Sequence, residues 1–333
     1  MVPLSVLDLS PIIEGSDAGQ SLRNSADLAR HVERLGYKRF WMAEHHSMPG
    51  IASAATAVAL AYVGSQTSTI RIGAGGIMLP NHAPLVIAEQ FGTLESLFPG
   101  RVDLGLGRAP GTDQAAAYAM RRNLASDANQ FPNDVVELAN YFKGQNGRVR
   151  AVPGEGLHIP LWILGSSLFG AQLAAMLGLP YAFASHFAPQ MMMEAIDLYR
   201  RRFEPSEQLD KPYVMLGFNA IVADTDEEAE LLATSVQQAF VALRTGNAIK
   251  LPPPKAGYAD ALPLEARAIL RSVLSASAIG SPGTASCQLD EFVARTNPDE
   301  LIVTAQVYDH QARLKSYELL METVRQRSDA LAE

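Results

Sequence analysis

Residues able to do chemistry gather in this chain at the ends of short apolar runs. Glu44-His45-His46 follows the run at 38–43, and Gly73-Ala74-Gly75-Gly76 follows Ile70-Arg71-Ile72. Val102-Asp103-Leu104 leads into Gly105-Leu106-Gly107-Arg108, the run at 161–164 into Gly165-Ser166-Ser167, and the run at 181–184 into Ser185-His186-Phe187. Asp8 falls at the end of the first run. Histidine changes charge near neutral pH and suits proton transfer. Glycine lets a backbone approach a ligand closely. Arginine and the free N–H groups of a helix start hold an anion. Two histidines, an arginine, a serine pair and glycines together suit an anionic ligand with a flat body better than they suit a metal.

Plainer readings stand beside these. The glycines from Gly105 fail the dinucleotide-binding spacing, because the third glycine would fall at Pro110; a strand-end turn accounts for them. Ser166-Ser167 ahead of a helix starting near Leu168 is either a phosphate loop or an ordinary serine cap. His45 and His46, adjacent in a strand, point to opposite faces. No convergent carboxylate pattern accompanies them, so no metal site is expected, and His46 is given a structural role.

The elements that must position these groups alternate regularly. Strands are expected at 4–9, 38–43, 69–73, 101–106, 161–164, 181–184, 213–222 and 301–304. Helical segments separate them, among them 84–97, which opens with proline and repeats Leu85, Ala88, Phe91 and Leu94 at near-helical spacing. Eight such units predict a (β/α)8 barrel in one domain spanning 1–333, with an open doubly wound sheet as the runner-up. In a barrel the strand ends named above meet at one mouth. Pro252-Pro253-Pro254 marks 245–280 as an insertion before the eighth strand and a lid over that mouth. The helix at 54–63 is apolar around its circumference and calls for a second partner, a homodimer interface shared with the helix at 85–97.

The 333 residues are 48% hydrophobic and carry net charge −8 without a basic run, so a large core is expected and nucleic acid is not a partner. No apolar stretch approaches the ~20 residues of a membrane span. The start, MVPLSVLDLSPI, lacks the features of a signal peptide. Cys287 is the single cysteine, which excludes internal disulfides. A cytoplasmic protein is expected.

Four motifs, AEHH at 43–46, GAGGIMLPNHAPL at 73–85, PGRVDLGLGRAPG at 99–111 and LGSSLFGAQLAAMLGLP at 164–180, resemble the luciferase-like monooxygenases, relatives of bacterial luciferase. The resemblance runs through nearly the whole chain. It implies a (β/α)8 barrel that takes reduced FMN from a separate reductase, activates O2 as a flavin C4a-peroxide and oxidises a small organic substrate. It places His45 as the acid/base and a non-prolyl cis peptide at or beside Gly75-Gly76 under the flavin ring, with Met78 in the same motif. Arg108 and the Gly165-Ser166-Ser167-Leu168 loop would hold the phosphate, helped by Arg121 or Arg122. Luciferase has an acidic residue where Ser166 stands, and this chain lacks luciferase's long mobile-loop sequence. Asp8 and His186 have no counterpart in luciferase and are substrate-pocket candidates by position. A deazaflavin-dependent oxidoreductase working by hydride transfer and a non-catalytic flavin-binding protein are the alternatives. A flavin-free hydrolase is remote, because no GxSxG is present.

Overall fold

The computed structural model describes residues 2–108, 119–120 and 128–332. Among the described residues nine parallel strands run β1 Leu4–Asp8, β2 Arg39–Met42, β3 Arg71–Met78, β4 Val102–Gly107, β5 Leu161–Gly165, β6 Tyr181–Phe183, β7 Val214–Val222, β8 Ser277–Gly280 and β9 Glu300–Thr304. Their order is β6-β5-β4-β3-β2-β1-β9-β7-β8, and a β6–β7 pairing closes the sheet. The expected eight-stranded barrel is therefore present, with β9 as its last strand.

β7 pairs with β6 through Val214–Leu216 and then overshoots it, so that Asn219–Val222 pair with Ser277–Gly280 of β8. The segment expected as an insertion holds helices Tyr258–Ala261 and Leu264–Val273 and ends in this strand, and helix Pro282–Thr296 follows. Four residues, SAIG, with half-exposed alternation are too short a pattern to read as a strand from sequence.

Alternation decides what each strand offers. Val6, Phe40, Met42, Ile72, Leu104, Ile163, Leu216 and Val303 face outward and pack beneath the helices. Leu7, Trp41, Ala43, Trp162, Ala182, Met215 and Ile302 form a separate cluster inside the barrel. Gly73 is the space Trp41 needs, since a Cβ there would lie 2.6 Å from the indole Nε1. That glycine serves the protein's own packing and not a ligand.

Charge closes the N-terminal end. Arg39 bonds Asp103 at 2.6 Å and Glu300 at 3.0 Å, and its guanidinium lies 4.9 Å from the centre of the Trp162 ring. Arg71 joins Asp103 at 2.7 Å, while Lys38 and Tyr213 reach Glu300 at 3.1 and 2.7 Å. Buried charge is tolerated only when paired and hydrogen-bonded, and here each partner is. Below the mouth the barrel is plugged. Among the described residues no helix is long and apolar enough to cross a membrane.

Candidate active site

A cavity of about 1010 Å3 opens at the C-terminal ends of the strands. Its floor is Leu7, Leu9, Ala43, Gly75, Gly76 and Leu164. The peptide bond between Gly75 and Gly76 is cis, and β3 loses register with β4 between Ala74 and Ile77. Side chains are excluded here: a Cβ on Gly75 would lie 2.8 Å from Leu7 Cδ1, and one on Gly76 2.7 Å from the Gly105 carbonyl. The result is a bare apolar shelf.

One wall is polar. Gly107, Arg108, Gly165, Ser166, Ser167 and Phe169 line it from the ends of β4 and β5. The Arg108 guanidinium lies 4.1 Å from the Phe169 ring centre, a cation–π contact that orients it. Ser167 is the N-cap of helix Leu168–Leu177, yet its side chain makes no capping hydrogen bond. Of the two readings open in the sequence, an ordinary serine cap is not what the fold contains. Leu168 does not line the cavity; it opens the helix and packs on the core, and Phe169 takes the wall position. The opposite wall is apolar, with Val236, Phe240, Leu243, Ile249 and Leu251, and ends in Phe187 and Arg244. Part of the segment at 245–280 thus forms cavity wall.

His45 and His186 both line the cavity. The sequence reading relies on an unperturbed imidazole for His45. Burial instead pushes it down to about 4, against the pull of Glu44 and with repulsion from His46. His186 is likewise down to about 4, by burial and then by charge repulsion from His45. Both rings are neutral at neutral pH, so the unperturbed imidazole expected of His45 is not what this enclosure gives.

Glu44 completes the site from the outer side. Oε1 is 2.6 Å from Nε2 of His46 and 2.8 Å from Nε2 of His82, while Oε2 accepts the main-chain N–H of Met78 at 2.9 Å. Burial raises the Glu44 carboxyl, but these partners outweigh it and hold it below the usual range. His45 lines the cavity, while His46 does not and turns to Glu44 instead. The expectation that no carboxylate joins the histidines is overturned: ligand atoms of Glu44, His46 and His82 lie within 4.8 Å of one another, close enough to share a small cation. His82 is distant in sequence and has no local pattern linking it to Glu44.

Asp8 is also corrected. It is fully buried and points out of the barrel, where Oδ1 accepts from Arg313 at 2.7 Å and from the Ser10 N–H at 2.9 Å. It is an internal ion pair and not a pocket residue. Arg121 and Arg122 lie outside the described residues.

The sequence pattern of the luciferase-like monooxygenases matches residues 2–298. The chain belongs to the luciferase-like monooxygenase family. It is similar to a "Luciferase-like monooxygenase" of Escherichia coli K12, 52% identical over 323 residues and 96% of each chain. An N-acetyl-S-alkylcysteine monooxygenase of Bacillus subtilis is 32% identical over 259 residues, 75% of this chain and 77% of that one. The crystal structure of apo-MsnO8 superposes with a TM-score of 0.88 at 33% identity, covering 98% of this chain and 99% of that one. In a luciferase-like monooxygenase of this build, the glycine shelf, the arginine wall and the two imidazoles occupy one mouth.

Proposed function

We propose that this protein is an FMN-dependent monooxygenase that receives reduced FMN from a separate reductase and oxidises a small organic substrate with O2. The observation that carries the reading is one cavity with a side-chain-free shelf beside an anion-holding wall. A flat ring needs a surface without projecting Cβ atoms, which Gly75 and Gly76 supply. A phosphate needs charge and donors, which Arg108 and the start of helix Leu168–Leu177 supply. Between them Gly107 and Gly165 have no neighbour nearer than 3.8 Å to an added Cβ, so the passage stays open. At about 1010 Å3 the cavity reaches the upper end of ligand-site volumes, room for a cofactor and a small substrate together.

The flavin, when bound, supplies the activation of O2. The chain's own residues do the rest. Arg108, Ser166 and Ser167 fix the phosphate end, and the shelf with Met78 beside it sets the ring plane. The apolar wall from Val236 to Leu251 excludes water and receives the apolar part of the substrate; an S-alkyl thioether is the first to try, given the Bacillus relative's name. His45 faces the cavity and, being neutral, keeps a proton on a ring nitrogen for transfer or hydrogen bonding.

The test is product formed per reduced flavin consumed, with a reductase and a panel of thioethers, in wild type, His45→Ala and His46→Ala. Loss of coupling on the order of 10²–10⁴-fold is expected for His45→Ala alone. Equal coupling in all three removes His45 from the chemistry. Tighter binding of a deazaflavin than of FMN in a spectroscopic titration would replace this reading with hydride transfer.

A further inference from the structure

The described residues give His186 an elaborate seat that the reading above does not use. Gly217 on β7 makes room for it: a Cβ there would stand 2.0 Å from Nδ1 of His186 and 3.0 Å from Cε1 and Cγ. The loop carrying it is tied to the same strand twice. Ser185 Oγ donates to the Gly217 carbonyl at 2.6 Å, and Asn219 Nδ2 donates to the His186 carbonyl at 2.9 Å. An isolated glycine in an otherwise apolar strand marks a close approach, and what approaches here is an imidazole.

The direction of that ring follows by elimination. Among the described residues Nδ1 of His186 has no partner and is shut off from solvent, and the same holds for Nδ1 of His45. Both side chains line the cavity, so Nε2 is the nitrogen left to face it. A neutral imidazole carries one N–H. A sealed Nδ1–H would be an orphaned donor, rarer and costlier than an under-satisfied acceptor. The proton therefore sits on Nε2 in both rings. Both rings line the same cavity, His45 beyond the end of β2 and His186 beyond the end of β6.

We propose that His186 is a second functional imidazole, presenting its Nε2–H together with that of His45 as a pair of donors to one electron-rich oxygen in the cavity. On the flavin reading, on which this part rests, that oxygen comes from O2 reduced at the flavin. Without substrate, reduced FMN and O2 give oxidised FMN and H2O2, two electrons and two protons passing from the flavin to dioxygen. A donor pair holding the oxygen slows that loss, as preorganised donors do at any oxygen that accumulates charge. Gly217 and Asn219 are then positioning residues.

Two measurements test it. Nitrogen NMR of histidine-labelled protein without flavin, with His45→Gln and His186→Gln assigning the signals, should show Nε2–H on both rings at neutral pH. A proton on Nδ1 of His186, or a charged ring, overturns the proposal. Stopped-flow mixing of reduced-FMN protein with O2 should then show H2O2 release on the order of 10²-fold faster in His186→Gln than in wild type. Gly217→Ala should reproduce this while keeping the imidazole, because its methyl occupies the place of Nδ1. Should Gly217→Ala not fold, His186→Ala replaces it. Unchanged release in the His186 variants overturns the proposal. Failure of the wild type to bind reduced FMN sinks the flavin reading instead, and the NMR result alone then decides the donor pair.

Discussion

Glu44 accepts the main-chain N–H of Met78 at 2.9 Å, which fastens the end of β2 to the end of β3 just beyond the Gly75-Gly76 shelf. His46 and His82 share the other carboxylate oxygen, so three segments converge on one buried charge. Replacing Glu44 with alanine strands an amide donor and two imidazoles. Removal of one partner of a buried network costs about 3–5 kcal/mol. Urea unfolding of Glu44→Ala should show a loss of that size, with flavin affinity falling alongside. A loss below about 1 kcal/mol would mean the fastening is unimportant.

Acid should weaken the fold in two stages. His45 and His186 fall from 6.5 to about 4 on folding, so between those values the unfolded chain binds more protons than the native one. Stability then rises with pH across that window and flattens above about 6.5. At about 1.4 kcal/mol per pKa unit each ring contributes about 3 kcal/mol. Glu44 acts in the same direction lower down: its carboxyl is depressed, so its contribution is complete above the unfolded value of 4.5 and fades as pH drops through the folded one. Urea midpoints from pH 3 to 7 should follow this course. The double variant His45→Gln/His186→Gln should flatten the upper stage; an unaltered slope there would contradict two buried neutral imidazoles.

Arg108→Ala should weaken FMN by roughly 10–100-fold, the worth of about 1.5–3 kcal/mol for a hydrogen bond to a charged group. Riboflavin, which has no phosphate, should bind about as before. Titration of both flavins against wild type and variant separates the cases. Equal losses would assign the arginine to the ring or to the fold.

Asp8→Ala should leave the Arg313 guanidinium buried without its carboxylate. The expected cost is about 3–5 kcal/mol of stability. FMN affinity of the folded fraction should hold, because Asp8 faces away from the cavity. Weakened flavin binding at full stability would restore Asp8 to the pocket.

Helix Thr56–Ser65 exposes Val58 at 71% and Tyr62 at 43%, and Val86 on helix Pro84–Leu97 is 42% exposed. We propose that this apolar face joins two copies of the chain. Light scattering at micromolar concentration should give a dimer mass, and Val58→Asp with Tyr62→Asp a monomer. A monomeric wild type would end this proposal.

The strand ends are legible in the sequence because glycine and polar residues interrupt apolar runs there, and in a barrel all such ends share one mouth. Which way a side chain turns is legible only through alternation. Leu7 is inside the barrel, so Asp8 must be outside, and its partner Arg313 stands 305 positions away. No local pattern announces that pair, nor the meeting of His82 with Glu44. Gly217 does leave a trace, a lone glycine within VMLGFNAIV, but what it admits depends on a loop from another strand. The neutrality of His45 is likewise a property of enclosure, which one strand cannot encode.

The paired charges of Arg39, Asp103 and Glu300, beneath the apolar floor of the cavity, make the barrel a blind alley. Among the described residues, whatever binds deep in the cavity is closed off from the N-terminal end and enters and departs at the C-terminal ends of the strands. Two guests inside together must queue: the one nearer the floor arrives first and leaves last. Inhibition by excess of the outer guest, trapping the inner one, is the kinetic mark such a dead end imposes.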